Sequence, residues 1–182
     1  MDDDLLSAAK SPSDEAQAAV ALIRTAGPNP EYLFLRRAQN PQDPWSGHFA
    51  LPGGKREAGD ASLLDTAIRE AFEECGISLK PWHWVQDLPL ATAGGGLSRP
   101  IKVAPYLFEV EARPPLFLQD EEIAEFHWLS LEYLTDPANH SHAALSGHFP
   151  EMLFPCIRVS ASQGGAIWGF TYGVFKSFLE MN

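Results

Sequence analysis

Residues 51–77 read LPGGKREAGDASLLDTAIREAFEECGI, and this stretch decides the fold more than any other part of the chain. It joins a glycine pair at 53–54 to a segment of helical periodicity that ends in an acidic cluster. With 3.6 residues per turn, Glu70, Glu73 and Glu74 stand at i, i+3 and i+4 and share one helix face. Three carboxylates this close repel one another unless a cation lies among them. Their hard oxygen atoms suit Mg²⁺ or Mn²⁺, ions that commonly bridge carboxylates to the phosphates of a substrate.

The same helix carries an apolar stripe that predicts how it packs. A buried face is expected at the spacing i, i+4, i+7 and i+11, occupied here by Leu64, Ile68, Ala71 and Cys75. Asp60 and Ser62 are both suitable N-cap residues, and Gly76 suits the left-handed position after the helix. A solvated face is the simpler interpretation of an acidic run. The glycine turn and the adjacent Arg69 argue against that interpretation here.

The turn and helix together resemble the Nudix box, whose pattern is G-x5-E-x7-R-E-U-x-E-E-x-G-U, with U an aliphatic residue. Residues 69–77 match the second half, with Ala71 as a small occupant of the first U position. The first half departs from the pattern, because Asp60 stands where glutamate is usual and eight residues separate it from Arg69. This longer box resembles the branch that contains coenzyme A diphosphatases. Four further segments are similar to that branch, residues 33–38, 103–110, 122–131 and 167–174.

The resemblance implies an α/β fold, a Nudix-type α/β/α sandwich around a mixed β-sheet. It also implies a metal-dependent hydrolase that cleaves a diphosphate linkage. That reaction needs a nucleophilic water and relief of negative charge, and Mg²⁺ or Mn²⁺ supplies both. By the resemblance, Glu70, Glu73 and Glu74 are metal ligands, joined by the backbone carbonyl of Gly54 or Gly53. One of the three glutamates is open to a second role as the base.

Two basic residues of the box are also candidates for the site. Arg69 is expected to pair with Asp60 or Glu70 and so to orient the box carboxylates. An ordinary i, i+4 surface pair with Glu73 is the alternative for Arg69. Lys55 follows the glycine turn and is a candidate for contact with a phosphate group as a mobile point charge.

Residues outside the box complete the predicted site. Some Nudix proteins take a separate general base from a downstream loop, and the candidates here are Asp120, Glu121 and Glu122. A solvated acidic turn is the alternative for these three residues. Arg36 and Arg37 alternate across a predicted strand, so only one faces the site, and we choose Arg37 for bidentate binding of phosphate. Trp45, in the loop before the box, is the candidate for stacking on a base or sugar.

Composition and charge restrict the class of protein. Of the 182 residues, 45% are hydrophobic and 20% are charged, which is typical of a globular domain. A net charge of −11 with only 13 Lys and Arg residues argues against a long nucleic acid as partner and favours a small nucleotide. The sequence shows neither an apolar run long enough to span a membrane nor a secretory signal, so we expect a cytoplasmic protein. Residues 1–15 are expected to be an acidic, mobile tail, and residues 16–182 a single Nudix domain.

The substrate is the least determined part of the prediction. Coenzyme A diphosphatases carry an additional signature, approximately L-R-x-H-x-G-x-V-x-F-P-G-G, of which this chain has Gly47 and residues 52–54 but not the L-R-x-H part. A nucleoside diphosphate linked to another moiety, of the NDP-sugar or ADP-ribose type, is therefore preferred. Coenzyme A comes second and (d)NTPs third. A Nudix module that senses a nucleotide without cleaving it is the alternative of another class, and a homodimer stays open.

Local patterns predict the remaining elements. We expect strands at 18–25, 32–37, 82–88, 101–111, 125–129, 156–160 and 166–168, and helices at 131–134 and 170–181. Residues 91–100 and 135–155 are expected to be irregular. Pro105 predicts an edge or a bulge in its strand, because proline cannot donate to a ladder.

Overall fold

Groups of strands are separated by single helices in the computed structural model, which describes residues 16–40, 46–94, 100–119, 121–146, 149–162 and 164–181. The strands are β1 (Ala18–Thr25), β2 (Glu31–Arg37), β3 (Phe49–Ala50), β4 (Gly53–Lys55), β5 (Trp84–Asp87), β6 (Ala91–Ala93), β7 (Ile101–Val110), β8 (Ile123–Ser130), β9 (His140–Ala143), β10 (Phe154–Arg158) and β11 (Ala166–Trp168). The helices are α1 (Leu63–Cys75), α2 (Leu131–Thr135) and α3 (Gly169–Glu180), and 3₁₀ turns form at Pro81–His83 and Pro137–Asn139.

A mixed β-sheet forms the centre of the fold, with the strand order β3-β2-β1-β7-β5. β1 runs parallel to β7 along its whole length and antiparallel to β2. β8 pairs with β2 and β6 with β7, both antiparallel. β4 pairs with the first residues of β1, which fixes the glycine turn beside the sheet. A second, smaller antiparallel sheet has the order β11-β10-β9.

The central sheet separates two hydrophobic cores. Because side chains alternate along a strand, the odd-numbered residues of β1 from Ala19 to Ile23 face α1, while Val20 and Leu22 face α3. α1 packs on its face through Ala67 and similar small residues, and α3 packs on the other face through residues such as Phe175. The expected α/β/α sandwich around a mixed sheet is therefore confirmed.

The strands at 18–25 and 166–168 have the predicted bounds, and the predicted helix at 131–134 is α2. Three other expectations were wrong. Residues 91–93 and 140–143 are strands instead of irregular chain, and a 3₁₀ turn precedes the second of them, β9. Within the two segments that were expected to be irregular, residues 95–99 and 147–148 lie outside the described part. The strand expected from residue 82 begins at Trp84, because Pro81 starts a 3₁₀ turn.

Pro105 was also misinterpreted, since β7 lies between β1 on one side and β5 and β6 on the other. Its carbonyl accepts a hydrogen bond from the N–H of Leu88. Along β7, Pro105 lies between the residues that pair with β6 and the residues that pair with β5. The missing N–H therefore falls at a gap between two neighbouring strands, so a central strand tolerates the proline. Within the described residues, no helix combines the length and the apolar character needed to cross a lipid bilayer.

Candidate active site

The local sequence of α1 sets the position of its acidic residues. The Ser62 side chain caps the helix by accepting the N–H of Asp65, and Gly76 ends it in the left-handed conformation at φ 72°. The buried stripe is shifted from the predicted one and consists of Leu63, Thr66, Ala67, Ala71, Glu74 and Cys75. Leu64 and Ile68 are only partly buried at its border. This rotation turns Glu74 into the protein.

Glu74 lies in a buried position against the glycine turn. Its residue is only 6% exposed, and its Oε2 accepts a hydrogen bond from the N–H of Gly53 at 3.0 Å. Burial raises the pKa of Glu74 to about 8, and the negative charges of Glu70 and Glu122 act in the same direction. The Gly53 N–H and the positive charge of Arg37 oppose this shift. A buried carboxylate with a pKa so far raised is typical of a functional site.

Glu70 lies against the next residue of the same turn. A Cβ atom on Gly54 would come within 2.2 Å of Glu70 Oε1, so only glycine leaves room for the carboxylate. Burial also raises the pKa of Glu70, helped by the charges of Glu73 and Glu122 and opposed by Arg69. One buried and one partly buried carboxylate therefore meet the backbone of two successive glycines.

Arg69 is held by a pair with Asp60. Its Nε and Nη2 donate to Oδ1 and Oδ2 of Asp60, both at 3.0 Å, and its Nη2 also donates to the carbonyl of Lys55 at 3.1 Å. The Arg69 guanidinium holds the pKa of the buried Asp60 well below its usual range. Nη1 donates to Glu70 at 3.0 Å and to Glu73 at 2.7 Å. The predicted orienting contacts and the alternative i, i+4 pair are thus both present.

Glu73 differs from the other two glutamates. Its side chain is 50% exposed and pairs with Arg69 rather than with the glycine turn. Within the described ranges, no three Asp, Glu, His or Cys side chains already stand close enough to hold a metal ion. A cation shared by Glu70, Glu73 and Glu74 therefore requires Glu73 to turn away from Arg69.

The donor set nevertheless fits a hard divalent cation. The partly buried Glu70 lies near the buried Glu74, and the negative charge of Glu70 helps to raise the pKa of Glu74. The missing Cβ of Gly54 lets the Glu70 carboxylate approach the backbone of the turn, and carboxylate and carbonyl oxygens are the ligands that Mg²⁺ and Mn²⁺ prefer.

The other predicted residues lie at different distances from this centre. Glu121 and Glu122 are both exposed, but only Glu122 is near enough to raise the pKa values of Glu70 and Glu74. Asp120 and Trp45 lie outside the described residues. The positive charge of Arg37 lowers the pKa of Glu74, as expected for the arginine that faces the site.

Arg36 has a structural role on the opposite side of its strand. Its Nη1 pairs with Glu125 at 2.8 Å and contacts the hydroxyl of Ser162 at 2.7 Å, while its Nε donates to the carbonyl of Gly47 at 2.9 Å. These contacts connect the loop before the box to the central sheet.

A cavity of about 810 Å³, here called the α3-side cavity, opens on the other side of the glycine turn. The polar end of this cavity is formed by Arg37, Gly53, Gly54 and Lys55. Its far wall contains aromatic side chains that the sequence did not bring together, namely His48, Phe149, Phe154, Trp168 and Phe170. Since these residues are distant in sequence, only the folded topology reveals the wall.

Comparisons with known proteins agree with this architecture. The family model described as NUDIX domain matches residues 15–149. The uncharacterised Nudix hydrolase NudL of Yersinia pestis (strain Pestoides F) is 33% identical over 166 residues, covering 90% of this chain and 78% of the relative. An uncharacterised protein of Schizosaccharomyces pombe, C14C4.10c, is 35% identical over 112 residues, which cover 59% of this chain. That match spans only 34% of the length of the yeast protein.

The fold has solved counterparts. A MutT/nudix family protein from Enterococcus faecalis superposes with a TM-score of 0.60 at 17% identity, covering 94% of this chain and 64% of the other. That likeness concerns the fold alone, and the coenzyme A branch stays a prediction. Because the family model spans more than half of the chain and NudL aligns with 90% of it, this chain belongs to the Nudix family and is a hydrolase of the pyrophosphatase type.

Proposed function

We propose that this protein hydrolyses the diphosphate linkage of a nucleoside diphosphate linked to another moiety and releases a nucleoside monophosphate. The observation that carries the proposal is the placement of the partly buried Glu70 and the buried Glu74 against Gly54 and Gly53. Mg²⁺ or Mn²⁺ is the cofactor that this set of oxygen atoms suits best.

Glu70, Glu73 and Glu74, with the carbonyl of Gly54, are the residues we assign to hold the cation. When bound, a divalent cation lowers the pKa of water and neutralises charge on phosphate oxygens. Arg69, fixed by its pair with Asp60, holds Glu70 in position. This arrangement matters because a small displacement of an aligned group lowers the rate strongly.

The proton and the substrate require further residues. Glu122 is the base we assign for accepting the proton of the attacking water, since its charge already acts on Glu70 and Glu74. Glu121 is the weaker candidate. Arg37 and Lys55 face the α3-side cavity and are assigned to the phosphate oxygens of the substrate.

The partner is a small nucleotide rather than a long nucleic acid, in keeping with the net charge of −11. NDP-sugars and ADP-ribose come first on the basis of the sequence, coenzyme A second and (d)NTPs third. A nucleotide-sensing module is the alternative, but the retention of all three box glutamates favours hydrolysis. Cytoplasmic location and a homodimer stay predictions.

The proposal is tested by incubating the purified protein with Mg²⁺ or Mn²⁺ and a panel of compounds, with the products identified by mass. The panel contains ADP-ribose, UDP-glucose, coenzyme A, NADH, diadenosine polyphosphates and dNTPs. Release of a nucleoside monophosphate, abolished by Glu73→Gln while binding persists, supports the proposal. Binding of a nucleotide by the wild-type protein without any turnover would favour the sensing module.

A further inference from the structure

The α3-side cavity adjoins the proposed site of hydrolysis through the glycine turn. Gly53 and Gly54 contact Glu74 and Glu70 on one side and line the cavity on the other. Arg37 also belongs to both regions, because its positive charge lowers the pKa of Glu74 and its side chain lines the cavity. A diphosphate bound at the turn would therefore have one of its two attached groups beside this cavity.

The two cationic side chains Arg37 and Lys55 line the cavity, and positive charge of this kind suits phosphate groups. Among the described residues that line it, none is Asp, Glu, Asn or Gln. Four described side chains of the lining carry a hydroxyl group, and that of Thr171 already donates to the carbonyl of Phe49 at 3.0 Å. A sugar placed here would lose hydrogen bonds to water without gaining equivalent partners from these side chains.

The far wall is built for nonpolar contact. The Trp168 ring packs edge-to-face with His48 at a centroid separation of 4.8 Å and at a tilt with Phe154 at 5.3 Å. These contacts hold three rings in one cluster, and Phe149 and Phe170 extend the same surface. An apolar group entering the cavity would exchange water for aromatic carbon, which is favourable in proportion to the area buried.

We propose that the α3-side cavity selects diphosphates in which the group beyond the nucleoside diphosphate is nonpolar, with Trp168 as the main specificity-determining residue. The proposal rests on the proposed function, and it reverses the preference for sugars that the sequence suggested. It concerns only the choice of substrate, and the roles proposed above for the residues of the hydrolytic centre do not change.

The test compares two esters that share the ADP half, the hexyl ester of ADP and ADP-glucose, in the presence of Mg²⁺. The expected kcat/KM of the hexyl ester is at least about tenfold the value for ADP-glucose, equivalent to about 1.4 kcal/mol. Trp168→Ala should lower kcat/KM for the hexyl ester about tenfold and change that for ADP-glucose less than about twofold. Equal values for the two esters, or a preference for ADP-glucose, would overturn the proposal.

Two further variants test whether a change in specificity comes from the cavity. Trp84→Ala removes an exposed tryptophan from β5, outside the cavity, and should leave the ratio of the two kcat/KM values unchanged. Phe149→Ser alters a partly exposed part of the wall, so it tests the proposal even where Trp168→Ala fails to fold. A lower ratio in Phe149→Ser supports the proposal, and an unchanged ratio contradicts it.

Failure of the proposed function gives a different result. If neither ester is hydrolysed, the assignment as a diphosphatase of such esters is wrong, and calorimetric titration of the same two esters then decides the specificity. Binding of the hexyl ester about tenfold tighter than ADP-glucose, with the difference lost in Phe149→Ser, would sustain the cavity's preference. Equal affinities, or no binding of either ester, would refute it.

Discussion

Replacing Glu74 by Gln should stabilise the metal-free protein at high pH even though it removes a proposed metal ligand. Burial raises the pKa of Glu74 to about 8 from an ordinary value of 4.5. As the pH rises through this interval, the unfolded chain releases the proton and the folded chain keeps it, so the folded state loses stability. At about 1.4 kcal/mol per pH unit, the limit is roughly 5 kcal/mol, and a realised effect of about 2–3 kcal/mol is expected.

Glutamine keeps the shape of the side chain and an oxygen that can accept the Gly53 N–H, but it carries no charge to bury. Urea unfolding in EDTA should therefore give similar stabilities for wild type and Glu74→Gln near pH 4.5, and a more stable variant at pH 8.5. Glu111→Gln is the matched control, since Glu111 is exposed and follows β7 at the end of the sheet away from the glycine turn. It should not reproduce the difference.

Metal should reverse the order of stability. At a cation concentration about 1,000-fold above Kd, the wild type gains about 4.1 kcal/mol of unfolding free energy, whereas Glu74→Gln should gain far less. A Glu74→Gln protein that is no more stable than wild type at pH 8.5 in EDTA would refute the reasoning. Such a result would mean that the buried carboxylate is not destabilising in its ionised form.

Three further outcomes are expected. Gly54→Ala should lower kcat/KM at least about 100-fold, since its Cβ would lie 2.2 Å from Glu70 Oε1, whereas Gly59→Ala, with no atom within 4 Å of its Cβ, should be neutral in the same assay. Asp60→Asn should cost about 3 kcal/mol by leaving Arg69 without its buried partner, and thermal unfolding should show a Tm lower by roughly 6–12 °C. Chelation with EDTA should abolish hydrolysis, and added Mn²⁺ should restore it in a coupled phosphate assay.

The elements with strong local signals were predictable from the sequence. α1 combines helical periodicity, a serine N-cap and a glycine end, and β1 is a continuous apolar run. β6 and β9 were missed because each is a short segment near glycine or proline that becomes a strand only by pairing with β7 or β10. Such pairing depends on partners far away in the chain, which local patterns do not contain.

The candidate site also has features that the sequence predicted and features that it did not. The order of Glu70, Glu73 and Glu74 on one helix is local information, so the acidic cluster could be inferred directly. The helix rotation could not, because it depends on how α1 packs on the sheet, and it separates buried Glu74 from exposed Glu73. The wall around Trp168 joins segments more than 100 residues apart and follows only from the folded chain.

The central claim is that the box glutamates and the glycine turn form a metal-dependent hydrolytic site. The most direct measurement is the Mg²⁺-dependent release of nucleoside monophosphate from the substrate panel by wild type, Glu70→Gln and Glu111→Gln, with products identified by mass. The account predicts release by the wild type and by Glu111→Gln, and a loss of at least about 100-fold in Glu70→Gln. Release by Glu70→Gln at the wild-type rate, or release that persists in EDTA, would contradict it.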